Sequence, residues 1–283
     1  MDNSMKIALL GSQGQLGKTV LQTVPEGIEV TPFSRHNFDL LDIDAALLAP
    51  FDGVINCAAY TAVDQAETDQ TNAYGVNRDA IEQLARICKH KAFTHISTDF
   101  VFAGNQSRAY QPDDNIDPQS VYGDSKAQGE ALLFKHHPNA LCIRTSWVYA
   151  AEGNNFVNTM IRLMNEREQL NVVNDQVGSP TATTDLAEAI WQLHGKASGL
   201  WHYSNQGLCS WYDFAMAIYH LGSAKGLITS PCNIRPIATS GYPTPAKRPA
   251  FSLLDKTKTE QQIGEIPHWL ISLDKVLSTL QNN

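Results

Sequence analysis

The sequence predicts an α/β fold built on a doubly wound parallel sheet. Up to about residue 145, short apolar runs typical of buried strands alternate with amphipathic patterns typical of helices. This alternation favours a parallel sheet that is covered by helices on both faces. With 283 residues, the chain is also long enough to bury a large core and to hold a deep cleft.

Five strands and three helices are predicted in order in the first half of the chain. The strands lie at residues 6–10, 27–33, 51–59, 92–97 and 140–146. The first helix passes through Val20, the second runs from Val76 to Cys88, and the third begins near Tyr122. Beyond residue 150 the alternation weakens, and the predicted elements are helices at 155–168, 185–194, 211–222 and 268–280 and a short strand at 199–204.

Composition and charge exclude several classes of protein. The net charge is −8 and lysines and arginines form no cluster, whereas nucleic-acid binding needs a concentrated basic surface. The five cysteines are odd in number and include no Cys-x-x-Cys, which favours reduced thiols in a cytoplasmic protein. No stretch approaches eighteen apolar residues. We therefore predict a soluble protein without a nucleic-acid or membrane partner.

Histidine spacing gives no indication of a metal site. The pairs His136/His137 and His194/His202 match no set of zinc ligands, and no group of carboxylates accompanies them. The sequence therefore predicts no metal.

A glycine-rich turn follows the first strand. Gly11, Gly14 and Gly17 form Gly-x-x-Gly-x-x-Gly between that strand and the first helix. Such a turn brings backbone close to a pyrophosphate, and the helix N-terminus supplies free N–H groups. Three glycines also suffice for a simple turn, so the flanking strand and helix carry the prediction of a dinucleotide site in a Rossmann-like sheet.

The end of the second strand bears on the choice of cofactor. An acidic residue there would bind the ribose 2′-hydroxyl of NAD, but none stands near Ser34. Arg35 is a candidate for the 2′-phosphate of NADP, and Asp39 is free to address the adenine. Alternatively, Arg35 is only a solvated loop cation.

Small and polar residues stand where the third and fourth strands end. Ala58 and Ala59 lie at the carboxyl end of the third predicted strand, and Ser97, Thr98 and Asp99 lie at that of the fourth. Open parallel sheets bind ligands at the carboxyl edge of their strands, so these residues are expected to line one cleft. The alanines are equally compatible with a packed core.

Tyr122 and Lys126 are four positions apart in a segment that predicts a helix. Residues at this spacing share a helix face, so both side chains would point into the same space. Taken alone, an aromatic residue and a lysine at this spacing also arise by chance.

Together, these motifs resemble the extended short-chain dehydrogenase/reductase family. Within it, six segments resemble the dTDP-4-dehydrorhamnose reductases, and they stand in the same order from about residue 5 to the C-terminus. The segments are “NCAAYTAVDQAE”, “STDFVFAG”, “VYGDSK”, “RTSWVYAAEGNNFVNTM”, “NDQVGSPT” and “YPTPAKRP”. The resemblance implies reduction of a nucleotide-linked 4-ketosugar by NADPH, with NADH as a second cofactor, to give dTDP-L-rhamnose.

The resemblance also implies a catalytic set. A ketone that accepts hydride develops alkoxide character and needs a proton donor within hydrogen-bond reach. Tyr122 matches that donor, and Lys126 is expected to lower the phenol pKa and to grip the nicotinamide ribose. Thr98 matches the hydroxyl that binds the carbonyl oxygen, with Ser97 as its nearest rival.

Binding residues carry over by motif. The implied cofactor-binding residues are Gly11, Gln13, Gly14, Gln15, Leu16, Gly17, Arg35, Asp39, Leu40, Ala58, Ala59, Tyr60, Thr61, Tyr122 and Lys126. The implied substrate-binding residues are Thr98, Asp99, Tyr122, Trp147 and Arg248, the last because a guanidinium pairs with diphosphate oxygens. Trp147 also fits a purely packing role, and Lys247 one of facing water.

The family implies two lobes. Residues 1–150 would form the dinucleotide-binding domain, and residues 151–283 mainly a smaller α/β substrate lobe with segments that return to the sheet. A homodimer is a candidate assembly. The positions that align with carboxylates at a metal-bridged subunit contact in some members are Thr19 and Thr184, which are not acidic.

Three alternatives stand beside a dTDP-4-dehydrorhamnose reductase, and the first is a reductase of another nucleotide-linked 4-ketosugar. Related dehydratases carry an Asp-Glu pair after the active-site threonine, whereas this sequence reads Thr98-Asp99-Phe100. A regulatory subunit of methionine adenosyltransferase also resembles these enzymes and acts by binding a partner. The intact Tyr122, Lys126 and Thr98 favour an enzyme.

Overall fold

The computed structural model describes residues 4–281, which form twelve strands and ten α-helices. The strands are β1 (Met5–Leu10), β2 (Ile28–Phe33), β3 (Gly53–Asn56), β4 (Ala92–Thr98), β5 (Leu141–Thr145), β6 (Val148–Tyr149), β7 (Gln169–Val173), β8 (Val177–Gly178), β9 (Thr181–Ala182), β10 (Gly199–His202), β11 (Cys209–Ser210) and β12 (Asn233–Ile237). The helices are α1 (Gln15–Gln22), α2 (Val63–Ala66), α3 (Gln70–Tyr74), α4 (Ala80–Ile87), α5 (Val121–His136), α6 (Phe156–Glu166), α7 (Thr183–Leu193), α8 (Trp211–Ala224), α9 (Thr257–Ile263) and α10 (Trp269–Gln281).

Six strands form the main sheet, in the order β10-β5-β4-β3-β1-β2. Every neighbouring pair is parallel. From β1 the chain moves outward to β2 and then returns to β3 on the other side, so strand order reverses at β1. Ligands of open parallel sheets bind at such a reversal, beyond the carboxyl ends of the strands.

Helices cover both faces of this sheet because successive strand side chains point to opposite sides. On β1, Ala8 and Leu10 pack into a core with α4 and α5, whereas Ile7 and Leu9 pack into another with α1 and α7. All four residues are at most 1 % exposed. The predicted doubly wound parallel sheet is confirmed. Each of the five predicted strands of the first half is present, although β3 spans only Gly53–Asn56 of the predicted 51–59.

The second predicted helix differs from its prediction. The helical segment begins earlier than predicted, with α3, and a π-helical stretch, Gly75–Asp79, joins α3 to α4. The wider turn changes the phase of the helix, and Asn77 within it is 1 % exposed. Such π-helical turns are frequent at functional sites because they redirect a side chain.

The residues after β5 form a third core and also return to the main sheet. The core contains residues from α6, α8, α10, β7 and β12, among them Val157, Phe214 and Leu273. The predicted helices are present, but the parallel pair of β7 and β12 was not predicted from the sequence.

Helix α8 continues two residues beyond its predicted end, because Gly222 packs against Ile228 instead of breaking the helix. The predicted strand at 199–204 is β10, which joins the edge of the main sheet beside β5.

Candidate active site

A cavity of about 910 Å³ opens at the carboxyl edge of the main sheet. Its wall includes Leu10 from β1, Thr98 from β4 and Thr145 from β5, as expected for a site at the strand-order reversal. The predicted site residues that line it are Gly11, Gln13, Gly14, Gln15, Leu16, Arg35, Asp39, Leu40, Ala58, Ala59, Tyr60, Thr61, Thr98, Asp99, Tyr122, Lys126 and Trp147. Gly17 and Arg248 are not among the lining residues.

The glycine-rich turn is held tightly against the sheet. Gly11 has φ +79°, and a Cβ there would lie 2.6 Å from the Ala58 amide nitrogen. A Cβ on Gly17 would lie 2.1 Å from the Gly11 carbonyl oxygen. Gly17 therefore lets α1 pack on the turn and is not among the residues that line the cavity. Gly14 is the N-cap of α1 and provides no side-chain cap, so the first N–H groups of the helix face the cavity.

The segment after β2 forms the far end of the cavity. Asp39 accepts a hydrogen bond at Oδ1 from the Leu41 amide (2.9 Å), which fixes the turn there. Arg35 is exposed and lines the cavity. Its guanidinium forms no ion pair with any residue between 4 and 281.

The floor of the cavity is fixed by Asn77, a residue that the sequence analysis did not identify. Its side chain accepts from the Tyr60 amide (2.9 Å) and donates to the Tyr60 carbonyl (3.0 Å) and to Ser125 Oγ (3.1 Å). Asn77 thus joins the segment after β3 to α5. The buried hydrogen bonds of its amide determine where the Tyr60 backbone lies in the cavity wall.

The two hydroxyl residues at the end of β4 have different surroundings. Ser97 Oγ donates to Glu130 Oε1 (2.5 Å), which pairs with Arg144, so this hydroxyl is engaged in the core. Thr98 Oγ1 donates to Asp99 Oδ1 (3.1 Å) and accepts from the Phe100 amide (3.2 Å) at the cavity wall. Of the two predicted candidates, Thr98 therefore has the better position to bind a carbonyl oxygen in the cavity.

Helix α5 begins at the cavity because of its cap and one glycine. Ser120 is the N-cap and accepts from the Gly123 amide (3.1 Å). A Cβ on Gly123 would lie 2.2 Å from the Phe100 carbonyl oxygen, so only glycine lets the first turn approach the end of β4 this closely. The Tyr122 ring packs edge-on against Phe100, with centroids 5.5 Å apart.

Tyr122 is 9 % exposed, and its ionisation differs from the expectation. Burial raises the pKa of Tyr122 to about 12, the Thr98 hydroxyl opposes this shift, and the Asp99 carboxylate adds to it. The expected lowering of the phenol pKa is therefore absent in this structure. The reason is that Lys126 Nζ donates to the Ile96 carbonyl oxygen (2.7 Å) and contacts His95, and it does not bond to the phenol.

Lys126 is 1 % exposed and has an unusual environment for an amine. Burial lowers its pKa to about 8. Its Nζ lies 3.2 Å from Nε2 of His95, a fully buried residue of β4 whose pKa burial lowers well below the usual range. His95 Nδ1 in turn lies 3.1 Å from Asn56 Nδ2. The sequence analysis identified neither His95 nor Asn56.

Asp99 is a carboxyl group held in the cavity wall at 2 % exposure. Burial raises the pKa of Asp99 to about 6, and hydrogen bonds with the Ser252 and Thr98 side chains oppose this shift. A buried carboxylate in a cavity wall is a hydrogen-bond acceptor suited to the hydroxyl groups of a ligand.

The raised pKa predicts that Asp99→Asn stabilises the protein at neutral pH. Because the folded-state pKa of about 6 exceeds the unfolded value of 3.8, the native carboxylate is unfavourable above pH 6. A shift of this size corresponds to about 2–3 kcal/mol. The gain should shrink as pH falls from 6 to 4 and be measurable by urea unfolding. Asp113→Asn, an exposed control, should show no such gain; equal stability of Asp99→Asn and wild type at pH 7.5 would contradict the assignment.

Trp147 links the cavity to the third core. It has φ +49°, the only positive φ of a non-glycine residue among residues 4–281. Its ring stacks on Trp211 of α8, with centroids 3.5 Å apart and planes inclined by 8°. The packing role considered from the sequence is therefore present, and Trp147 also lines the cavity. Strained backbone of this kind persists where the surroundings enforce it, commonly at binding sites.

Arg248 lies beside the cavity. It donates through Nη2 to Asp64 Oδ2 (2.6 Å) in α2, next to the lining residue Val63. Lys247 Nζ donates to Gln119 Oε1 (2.9 Å).

Within residues 4–281, no three His, Cys, Asp or Glu side chains are grouped as metal ligands. The same part of the chain includes no helix long and apolar enough to cross a membrane.

Comparison with known proteins identifies the family. The family model described as RmlD substrate binding domain matches residues 5–282. The chain belongs to this family. A dTDP-4-dehydrorhamnose reductase of Aggregatibacter actinomycetemcomitans is 38% identical over 277 residues, which cover 93% of this chain and 94% of the relative.

Two solved structures extend the likeness to the coordinates. A dTDP-4-dehydrorhamnose reductase of Bacillus anthracis in complex with NADP is 33% identical, with a TM-score of 0.92 over 98% of this chain and 99% of that chain. A dTDP-4-dehydrorhamnose reductase from Clostridium acetobutylicum is 35% identical, with a TM-score of 0.91 over 98% of this chain and 100% of that chain. The expected resemblance to this enzyme family is thus confirmed.

Proposed function

We propose that this protein is a dTDP-4-dehydrorhamnose reductase. It reduces the C4 ketone of dTDP-4-dehydro-6-deoxy-L-mannose (dTDP-6-deoxy-L-lyxo-4-hexulose) to dTDP-L-rhamnose, with NADPH as the preferred cofactor and NADH as the second. The single observation that carries the proposal is the meeting of Tyr122 and Thr98 with a dinucleotide-type glycine turn in one cavity of about 910 Å³. Relatives of that name cover nearly the whole chain.

The chain's own residues fit a dinucleotide. Side chains at Gly11 and Gly17 would collide with backbone, and α1 presents uncapped N–H groups to the cavity. These groups suit a pyrophosphate, and Arg35 has a free guanidinium for a 2′-phosphate. Bound NADPH would supply the hydride.

Two hydroxyl groups act on the substrate ketone. Tyr122 donates its proton to the carbonyl oxygen, and its pKa of about 12 keeps the phenol protonated at neutral pH until that moment. The Thr98 hydroxyl orients the same oxygen, and Asp99 accepts hydrogen bonds from sugar hydroxyl groups. Lys126 in its charged form stabilises the tyrosinate that remains.

The proposed substrate lobe consists mainly of residues 151–283, and residues 1–150 form the dinucleotide-binding domain. Trp147, whose ring stacks on Trp211, lines the cavity beside the proposed sugar site. Arg248 would exchange its ion pair with Asp64 for the substrate diphosphate, a geometry suited to a guanidinium. A homodimer and a cytoplasmic location stay predictions.

The proposal is tested by mixing purified protein with the dTDP-linked ketosugar and NADPH. We expect loss of the reduced-nicotinamide absorbance in step with formation of dTDP-L-rhamnose, and ketosugars on other nucleotides should react more slowly. Absence of substrate-dependent oxidation of NADPH, in protein that binds NADPH, would refute the reductase and favour a binding protein.

Replacing Arg35 tests the cofactor preference. Arg35→Ala removes the cation assigned to the 2′-phosphate, so the Kd for NADPH should rise about tenfold or more while that for NADH changes little, since a charge-assisted hydrogen bond contributes about 1.5–3 kcal/mol. Fluorescence titration measures both constants. Arg162→Ala, at an exposed arginine of α6, is the control. Equal losses for the two cofactors would remove Arg35 from this role.

A further inference from the structure

The amine of Lys126 ends a buried chain of side chains that starts at Asn56. Asn56 Nδ2 lies 3.1 Å from His95 Nδ1, and His95 Nε2 lies 3.2 Å from Lys126 Nζ. Asn56 and His95 are fully buried and Lys126 is 1 % exposed, so water does not compete for these groups. The direction of each hydrogen bond therefore decides where the protons lie.

The backbone fixes the first hydrogen bond. Asn56 Oδ1 accepts from the Ala58 amide (3.0 Å), which leaves Nδ2 as the group facing His95. An amide Nδ2 can only donate, so His95 Nδ1 must accept. The reverse orientation of Asn56 would set two N–H groups against each other at Ala58. Because burial also keeps His95 neutral, its single ring proton must be on Nε2.

That proton points at Lys126. An Nε2–H group needs an acceptor, and an amine can accept only in its neutral form. We propose that Asn56 and His95 are positioning residues for Lys126. Asn56 selects the Nε2–H tautomer of His95, and this N–H group donates a hydrogen bond to the neutral Lys126 amine. Lys126 then donates to the Ile96 carbonyl oxygen. The neutral amine prevails above the Lys126 pKa of about 8; below it the amine takes up a proton and gives up the His95 contact, so the charge of the lysine is coupled to the contacts of Nζ.

Of the other titratable groups around Lys126, Cys142 and Glu130 act against burial and favour the charged amine. Cys142 of β5 lies opposite His95, and burial raises its pKa far above the usual range, so it stays a thiol. Glu130 of α5 is paired with Arg144 of β5. Tyr122 stays protonated because burial raises its pKa to about 12. Among these titratable side chains, His95 is the one that contacts Lys126 Nζ directly.

The tautomer is tested directly by nitrogen-15 spectra of histidine-labelled protein. The protein has nine histidines, and the signal of His95 is identified as the one that is missing from the spectrum of His95→Gln. We expect His95 to be protonated at Nε2 in the wild type and at Nδ1 in Asn56→Asp, because a carboxylate accepts from both Ala58 and His95. An Nδ1–H signal in the wild type would overturn the proposal. This measurement needs no substrate and so is independent of the proposed function.

The effect on Lys126 is tested by the pH dependence of kcat/KM, a step that rests on the proposed function. If the reaction needs charged Lys126, wild-type activity should fall as pH rises through about 8. His95→Gln presents an amide that can accept from an ammonium, so this limb should move up by about one pH unit, a tenfold change in the protonation equilibrium. An unmoved limb would overturn the coupling of His95 to Lys126.

His194→Gln is the matched control. His194 is a second buried histidine that contacts β4, through Thr94 Oγ1 (2.8 Å), and it does not contact Lys126. Its substitution should leave the pH limb in place, and an equal shift would refute a specific role of His95. If the wild type binds NADPH but reduces no ketosugar, the proposed function fails. The pH dependence of NADPH binding then replaces that of kcat/KM, and His95→Gln should shift it by the same amount. A binding profile that His95→Gln leaves unchanged would contradict the coupling of His95 to Lys126.

Discussion

Tyr122→Phe is expected to reduce kcat by about 10²–10⁴-fold, the usual contribution of a positioned proton donor. The substitution removes only the hydroxyl group. The ring should keep its edge-on packing against Phe100, and α5 should keep its Ser120 cap. Stopped-flow measurement of NADPH oxidation at saturating ketosugar would give the effect, and the Kd for NADPH should change less than about threefold.

Tyr110→Phe is the matched control for a buried phenol. The Tyr110 hydroxyl accepts from the Gly104 amide (2.9 Å), outside the cavity wall, so its loss should affect stability and spare kcat. A Tyr122→Phe variant that turns over at near the wild-type rate would show that another group donates the proton.

Glu130→Gln should destabilise the fold by about 3–5 kcal/mol, because it leaves a buried guanidinium without its counter-charge. Glu130 and Arg144 have side chains 5 % and 4 % exposed, and Arg144 bonds to both carboxylate oxygens. The same carboxylate accepts from Ser97. One residue therefore holds α5, β4 and β5 together behind Tyr122, and urea unfolding measures its contribution.

Two controls distinguish the effect of breaking a buried ion pair from the effect of breaking any ion pair. Glu166→Gln breaks the exposed pair with Arg162 and should change stability by no more than about 1 kcal/mol. The double variant Glu130→Met/Arg144→Met removes both charges and should recover much of the loss. If Glu130→Gln were as mild as Glu166→Gln, the buried pair would not anchor α5.

The first half of the fold could be predicted because its signals are local. Each strand from β1 to β5 is a short apolar run, and the helices carry their own periodicity. The pair β7 and β12 was missed although Leu170 and Val172 alternate with polar neighbours, since five residues are a weak signal and the partner strand begins 64 residues later. The π-helical stretch at Gly75–Asp79 packs closely against Gly129 of α5, a contact that no local pattern reveals.

Within the site, motif residues were predictable and their supports were not. The glycine turn and Thr98 lie at the carboxyl ends of strands, and Tyr122 shares a helix with Lys126. The sequence therefore places all of them at one edge of the sheet, where they line the cavity. Asn77 and His95 act through contacts across elements, and the sequence shows neither the contacts nor their burial. The phenol pKa was predicted in the wrong direction for the same reason, because burial outweighs a lysine that bonds elsewhere.

A crystal structure with NADP and dTDP-L-rhamnose bound tests whether Tyr122 is the proton donor. We expect the Tyr122 hydroxyl at about 2.6–3.2 Å from the sugar O4, with the Thr98 hydroxyl on the same oxygen and the nicotinamide ring against C4. A sugar bound with O4 turned away from Tyr122, or seated outside the cavity that Tyr122 lines, would contradict this assignment.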